Sequence, residues 1–311
     1  MIKYISKKFC YNMMIFISVI FISFFTVKLI PGDPISAITG LKGGNPAQRK
    51  VLEHDLGLDL SLLKQFTNYL TQIFFHFDFG KSYYNDKLPA VKLFFKAFNN
   101  TFKLALLSTL FGSLLGILFG VLSSYWQGKK KNLLLNGLSV FVMSSPTFVI
   151  AFLMQLYLGK MFHLPRSGFD TLQAMILPVL SLSLVVSVSV FKITQTSMKE
   201  TIEQPYIKAA YAKGLRQNHI MFKYALKNAL IPVVAHIGLM FSYLIGGAII
   251  TEFVFNIKGI GSLIISSFEN RDYLVLQGSI ILLALFISLF NLLLDFAYAL
   301  LDPRINKSLN T

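Results

Sequence analysis

The residues that decide the fold are Lys199–Pro232, which read KETIEQPYIKAAYAKGLRQNHIMFKYALKNALIP. This segment is polar, basic and rich in helix-forming residues, and it lies between two long apolar runs. Its centre carries four small residues, Ala209, Ala210, Ala212 and Gly214. Small side chains let another surface approach a helix backbone closely, and Gly214 permits a turn that a residue with a Cβ atom would resist. The segment is therefore predicted to be a docking element rather than a plain connection.

The composition places this element in a membrane protein. Of the 311 residues, 54% are hydrophobic and only 14% are charged, which lies outside the usual range of a soluble domain. Several runs approach or exceed the roughly 20 apolar residues needed to cross the hydrocarbon core of a bilayer. One soluble core could not bury this much apolar surface, so the chain is predicted to be an integral membrane protein.

Six membrane spans are predicted, all helical, because an isolated segment in lipid can satisfy its backbone hydrogen bonds in no other way. They are approximately Cys10–Ile30, Thr101–Trp126, Leu133–Lys160, Leu172–Thr194, Ala229–Val254 and Val275–Leu301. The predicted fold class is thus an all-α, polytopic membrane protein. Residues 1–100 hold the first span and a long outer segment, and residues 101–311 hold a five-helix core with the connection 195–228 on its inner side.

The basic residues predict the orientation. They concentrate at the N-terminus, after the second span, in the connection 195–228 and at the C-terminus, whereas the two short alternate loops carry few. By the positive-inside rule both termini are cytoplasmic. The same distribution accounts for the net charge of +15. The sequence lacks the basic stripe on a soluble domain that is typical of nucleic-acid binding. The chain is therefore expected to contact membrane lipid and not to bind nucleic acid.

The sequence offers no constellation for catalysis. Gly80-Lys81-Ser82 resembles the end of a phosphate-binding loop, but Phe75 stands where that loop requires its first glycine. The five histidines have no metal-ligand spacing, and no nucleophile elbow is found. No catalytic, cofactor or metal site is predicted, and the chain is not expected to be an enzyme.

Two groups of residues are predicted to pack helices together. Gly112, Gly116 and Gly120 form a seam on one face of the second span, which would allow close approach within the bundle or against a partner subunit. Asn291 and Asp295 are four residues apart and share a face of the last span. Ionisable groups inside spans are functional candidates by default, but for Asp295 bonding to neighbouring helices is the favoured interpretation.

Motifs spread over nearly the whole chain resemble those of a known family. They are Ile30-Pro31-Gly32-Asp33-Pro34, Leu56-Gly57-Leu58-Asp59, Phe79-Gly80-Lys81-Ser82, Tyr206–Gly214, Ala225–Pro232, Gly259-Ile260-Gly261, Arg271-Asp272-Tyr273 and Asp302-Pro303-Arg304. Together they resemble the permease subunits of ABC importers of the peptide/nickel class. Two departures stand out: Lys208 replaces the glutamate of the family's cytoplasmic EAA loop, and Lys258 stands where proline is common.

The resemblance implies a type I ABC importer transmembrane fold in a bacterial plasma membrane. It implies that the loop formed by Tyr206, Lys208, Ala209, Ala210, Lys213, Gly214 and Leu215 docks into a separate ATPase. The implied partners are a second homologous permease, two ATP-binding subunits, which hold the ATP, and an extracytoplasmic substrate-binding protein. Di- or oligopeptides are the leading cargo, and nickel or a metal chelate is the alternative.

Two other classes remain open at this point. An ion-gradient-driven secondary transporter is the main one, although such carriers usually hold more buried carboxylates than Glu252 and Asp295 provide. Uptake without nucleotide would support it. A polytopic membrane enzyme is the second, and it is disfavoured by the lack of a catalytic constellation.

Overall fold

The computed structural model of the chain describes residues 2–29, 35, 50, 53–54, 59–82 and 87–301. In these residues the regular structure is helical, and β pairing is confined to an isolated antiparallel bridge between Lys81 and Pro89. Helices suit this composition because each one satisfies its backbone polar groups within itself. The predicted all-α class is confirmed.

The helices of the described residues are named here in chain order. They are α1 (Ile2–Leu29), α2 (Leu62–His76), α3 (Ala90–Tyr125), α4 (Lys130–Ser144), α5 (Thr147–Met161), α6 (Leu172–Ile202), α7 (Pro205–Ala212), α8 (Gln217–Gly247), α9 (Ile249–Val254), α10 (Ile260–Glu269) and α11 (Tyr273–Leu301). A π-helical turn interrupts α5 at Met154–Leu158, and a second one lies in α8 at Ile220–Ala225.

Five of the described helices, α1, α3, α6, α8 and α11, are each long and apolar enough to cross a membrane. α4 and α5 together make a sixth candidate, but they meet at 101°. The predicted span Leu133–Lys160 is therefore broken rather than continuous. The break falls at Ser145-Pro146, where the proline ring disfavours a helical conformation of the residue before it. Ser145 is accordingly extended, with φ −86° and ψ 128°.

Contacts between residues divide the chain into two compact units. The first is built on Thr101–Ile257 and on α11 from Phe290 onward. The second is built on the described parts of Ile5–Asn100 together with Lys258–Leu289. α3 and α11 each contribute residues to both units.

In the first unit, the glycine seam of α3 lies directly against α6. A Cβ atom added at Gly112 would lie 2.7 Å from the carbonyl oxygen of Ser183. One added at Gly116 would lie 2.7 Å from that of Ser187, and Gly120 is equally crowded. These distances are shorter than van der Waals contact, so the close approach of two backbones is what requires glycine here.

In the second unit, the motif that imitates a phosphate loop is tied to the start of α11. Ser82 Oγ donates a 2.5 Å hydrogen bond to Asp272 Oδ2, and both residues are buried. Phe79 is fully buried and lies against Gly278 of α11. Two of the motifs that carry the family resemblance therefore meet, and in this structure they serve packing.

The second unit also holds α1 against α2 through aromatic side chains. The ring centroids of Phe24 and Phe66 are 5.2 Å apart, and Phe16 meets Phe74 edge-on. Such contacts add to the burial of apolar area. α2 lies in the long segment that follows the first predicted span.

Candidate functional site

α7 is a helix of eight residues set between two long helices, α6 and α8. Pro205 opens it, at a position where its missing amide hydrogen is not needed, and Gln204 before it is extended. After Ala212 the helix ends, and Gly214 adopts φ +76°, in the left-handed region that favours glycine. The chain re-enters a helix at Gln217, so α7 is a distinct element with defined ends.

One face of α7 belongs to the core of the first unit. Ile207 is fully buried and Ala210 is 6% exposed, and their spacing of three residues puts them on the same face. They join a buried cluster that includes Met198 of α6 and Met221 of α8. Leu215 packs against the same cluster. α7 is therefore fixed to both of its neighbouring helices.

The opposite face of α7 is open to its surroundings. Lys208, Ala209 and Ala212 are exposed, and Tyr206 and Tyr211 keep 44% and 42% of their surface accessible. Small residues beside tyrosines give a contact surface with apolar area and polar tips, a combination enriched in protein interfaces. Of the small residues predicted for docking, Ala209 and Ala212 face outward, and Ala210 packs inward.

The charged residues of α7 and of the chain that follows it are all basic. Lys208, Lys213 and Arg216 are exposed, and the sequence has no Asp or Glu between Pro205 and Thr251. Tyr206 is braced from α8, since Asn228 Nδ2 donates a 2.8 Å hydrogen bond to its hydroxyl oxygen. A surface of this kind favours an acidic partner.

The π-helical turn at Ile220–Ala225 was not predicted. It places Ile220, Met221 and Ala225 in the cluster that holds α7, and each of them is buried. π-helical turns are rare and are frequent at functional sites. Hydrophobic spacing gives no signal for such a turn, because it adds only one residue to a helical period.

A group of polar side chains that joins α3, α4 and α6 was also missed. Ser123 Oγ donates to Asn132 Oδ1 at 2.6 Å, and Gln195 Nε2 donates to Ser123 Oγ at 2.5 Å. Asn136 Nδ2 donates to Asn132 Oδ1 at 2.7 Å, and Lys192 Nζ donates to Asn136 Oδ1 at 2.9 Å. We call these five residues the polar belt. Asn132 and Asn136 are four residues apart, and Lys192 and Gln195 are three apart. Each pair shares a face of its helix, and this spacing could have indicated the belt.

A cleft of about 610 Å³ opens beside the polar belt. Its lining includes four belt residues, together with Lys199, Glu200 and Glu203 near the end of α6 that leads into α7. Every lining residue has a polar side chain. A surface of this composition is suited to water rather than to lipid.

Glu252, a candidate from the sequence, is completely buried in α9. Thr101 Oγ1 donates a 2.5 Å hydrogen bond to Glu252 Oε1, within the first unit. A buried carboxyl group needs such donors, because removal from water without them is costly.

The predicted pair on α11 lies close to α8. Asn291 Oδ1 is buried and has no hydrogen-bond partner among the described residues, and Asp295 is half-buried one turn further on. A hydrogen bond between the two helices is made by another residue, since Tyr298 Oη donates a 2.5 Å hydrogen bond to the carbonyl oxygen of Ala235. The roles proposed for Asn291 and Asp295 stay predictions.

Solved structures with the same fold define the class of protein. A crystal structure of an amino acid ABC transporter with histidines matches with a TM-score of 0.54 at 18% identity, covering 69% of this chain and 94% of the other. The inward-facing MetNI methionine ABC transporter matches with a TM-score of 0.60 at 17% identity, covering 68% and 97%. The fold is that of an ABC transporter transmembrane subunit.

Sequence relatives then give the family. Residues 112–307 match the family described as binding-protein-dependent transport system inner membrane component, and residues 1–106 match its N-terminal region. The glutathione transport system permease protein GsiC of Pectobacterium atrosepticum is 35% identical over 306 residues, 98% of this chain and 99% of that protein. GsiC of Escherichia coli K12 is 33% identical, covering 91% and 92%.

The chain belongs to this family of binding-protein-dependent inner membrane components. It is therefore a multi-pass inner-membrane permease subunit of an ABC importer.

Proposed function

We propose that the chain forms half of the translocation pathway of a peptide importer, and that α7 couples this pathway to a separate ATPase. The observation that supports the coupling role most strongly is the two-sided environment of α7. Ile207 and Ala210 fix one face in the core, while Tyr206, Lys208 and Ala209 leave the other face accessible. A helix held in this way is suited to insertion in a groove of a partner.

The shared core gives α7 a way to transmit force. Its buried cluster contains Met198 of α6 and Met221 of α8, and packed side chains transmit displacement because protein interiors are dense. A push on the exposed face would therefore move both long helices together. The exposed Lys208, Lys213 and Arg216 would pair with acidic residues of the ATPase groove.

The proposed assembly contains a second homologous permease, two ATPase subunits that bind the ATP, and an extracytoplasmic binding protein. α7 and both termini face the cytoplasm in this arrangement, as the basic connections favour. The proposal keeps the division into an N-terminal part, residues 1–100, and a five-helix core, residues 101–311, and it assigns the long segment after α1 to the outer side. There it would meet the binding protein.

Peptides are the proposed cargo. The relatives named above are glutathione permeases, and glutathione is a small peptide with free carboxylates. This supports the peptide assignment over nickel or a metal chelate.

Reconstitution of the complete transporter tests the proposal. Proteoliposomes would contain the chain, its second permease and the ATPases, with the binding protein outside and ATP inside. We expect uptake of radiolabelled glutathione that requires both ATP and the binding protein. Uptake driven by an ion gradient without ATP would favour a secondary transporter. Uptake of Ni²⁺ in place of the peptide would overturn the cargo assignment.

A further inference from the structure

We infer that Lys192, held by Asn136, binds the carboxylate of the cargo peptide near the cytoplasmic end of the translocation pathway. The inference rests on the proposed function and deepens it, because it assigns a cargo-binding residue to the permease itself. The observations that carry it are the depth of Lys192, its bonding partners and the polar surface around it.

Lys192 lies within the predicted span Leu172–Thr194, on the long apolar helix α6. α4 begins at Lys130, next to the basic residues that mark the boundary, and Asn136 lies six residues further along. At 1.5 Å per residue this places Asn136 about 9 Å beyond Lys130. Because Lys192 Nζ is 2.9 Å from Asn136 Oδ1, the ammonium group lies at a similar depth.

The ammonium group of Lys192 contacts neutral groups in the part of the chain that the structure describes. It bonds to the Asn136 amide and lies 5.4 Å from the centroid of the Phe191 ring. Among the described residues, no acidic side chain forms an ion pair with it within 4 Å. An unpaired cation at this depth is costly in lipid, and such residues face a water-filled cavity or a functional partner.

Polar surfaces lie on two sides of Lys192. The all-polar cleft beside the belt includes Asn136 in its lining. One turn deeper on α6, Ser189 Oγ lies 2.7 Å from His236 Nε2 of α8 and continues the polar surface into the span. Lys192 thus lies between a polar contact deeper in the bundle and a cleft that opens beside α7.

The chemistry of the pair favours a carboxylate. An ammonium group has three N–H donors, and the bond to Asn136 uses one of them. Asn136 is itself held by its bond to Asn132, which fixes the direction of the amide oxygen. The remaining donors of Lys192 can form charge-assisted hydrogen bonds with the free carboxylate of a peptide. A divalent cation would be repelled from the same place.

The test compares a peptide that has a free C-terminal carboxylate, the acid, with the same peptide whose C-terminus is an amide. Uptake of trialanine and of trialanine amide would be measured in proteoliposomes of the complete transporter, with the binding protein saturated by each peptide. Lys192→Gln is expected to lower uptake of the acid about tenfold, as loss of one charge-assisted hydrogen bond allows, and to change uptake of the amide less than about twofold. Lys192→Arg should retain the preference for the acid.

Lys131→Gln is the matched control, because it removes an exposed lysine at the boundary, beside Trp126. It should leave both rates unchanged. Equal losses for the acid and the amide in Lys192→Gln would show a structural role and overturn the inference, and so would unchanged uptake of both. If the wild-type transporter carries no peptide, glutathione included, while Ni²⁺ or another non-peptide cargo enters, the proposed function itself fails.

Discussion

Gly214 ends α7 in a conformation that few other residues adopt. Its φ is +76°, and a Cβ atom added there would meet no atom of the described residues within 4 Å. A residue with a Cβ atom would therefore have about 1–2 kcal/mol of backbone strain at this φ, but its Cβ atom would not clash with the described residues. A large side chain at this position would project into the space that we assign to the ATPase.

Gly214→Trp is accordingly expected to prevent docking. ATP-driven uptake should fall at least about tenfold, which corresponds to a loss of about 1.4 kcal/mol of interaction, and cargo-stimulated ATP hydrolysis should fall with it. The amount of chain inserted in the membrane should not change. Uptake, ATPase activity and membrane abundance would be measured in the complete transporter.

Gly128→Trp is a close control, because Gly128 also has a positive φ, +78°, and open space around its Cβ position. It lies between α3 and α4 and not in α7. This variant should keep normal coupling. If both variants lose activity to the same extent, backbone strain is the cause, and docking at α7 is not supported.

The sequence was sufficient to predict the conformation or orientation of some residues and not of others. Gly214 was predicted as a turn because glycine tolerates a positive φ. The opposite orientations of Ala209 and Ala210 were not predicted, since two alanines give no information about the phase of a helix. Ile207 sets that phase by its burial. The bond between Lys192 and Asn136 could not be predicted, because it joins residues 56 positions apart.

Among the elements, the long spans follow directly from the sequence, because only helices satisfy the backbone in lipid. The bend of 101° between α4 and α5 is not indicated by hydropathy, because the two helices together are apolar enough to form one span. Its signal was Ser145-Pro146, a pair that disfavours a continuous helix. The π-helical turn at Ile220–Ala225 has no comparable signal and depends on packing against α7.

The contact between α3 and α6 gives a prediction for an element. Gly116→Ala puts a methyl group 2.7 Å from the carbonyl oxygen of Ser187, so the two helices must separate. We expect a loss of stability of about 1–3 kcal/mol, typical of overpacking. Thermal unfolding of the purified transporter in detergent would show it as a lower midpoint.

Gly137→Ala on α4 is the control for this change. A Cβ atom there meets nothing within 4 Å, and alanine favours a helix over glycine by about 1 kcal/mol. The midpoint of this variant should not fall. A fall of the same size in both variants would contradict the close packing of α3 on α6.

For the whole molecule, charge and apolar surface together determine which surfaces contact lipid and which are available to protein partners. The chain carries a net charge of +15, and the stretch from Pro205 to Thr251 has no acidic residue. Lipid accounts for the apolar spans, and the proposed ATPase accounts for the basic, accessible face of α7. Sequence alone could predict the side of the membrane on which this face lies, but not its attachment to the core through Ile207.

The most direct test of this account is the accessibility of α7. A cysteine would be placed at the exposed Ala212 in a Cys10→Ser background, because the native Cys10 is also exposed. Phe162→Cys, in the connection between α5 and α6, would report the opposite side of the membrane. We predict that an impermeant maleimide labels position 162 in intact cells, and position 212 only after permeabilisation and only without bound ATPase. Labelling of position 212 from outside, or equal labelling with and without the ATPase, would contradict the account.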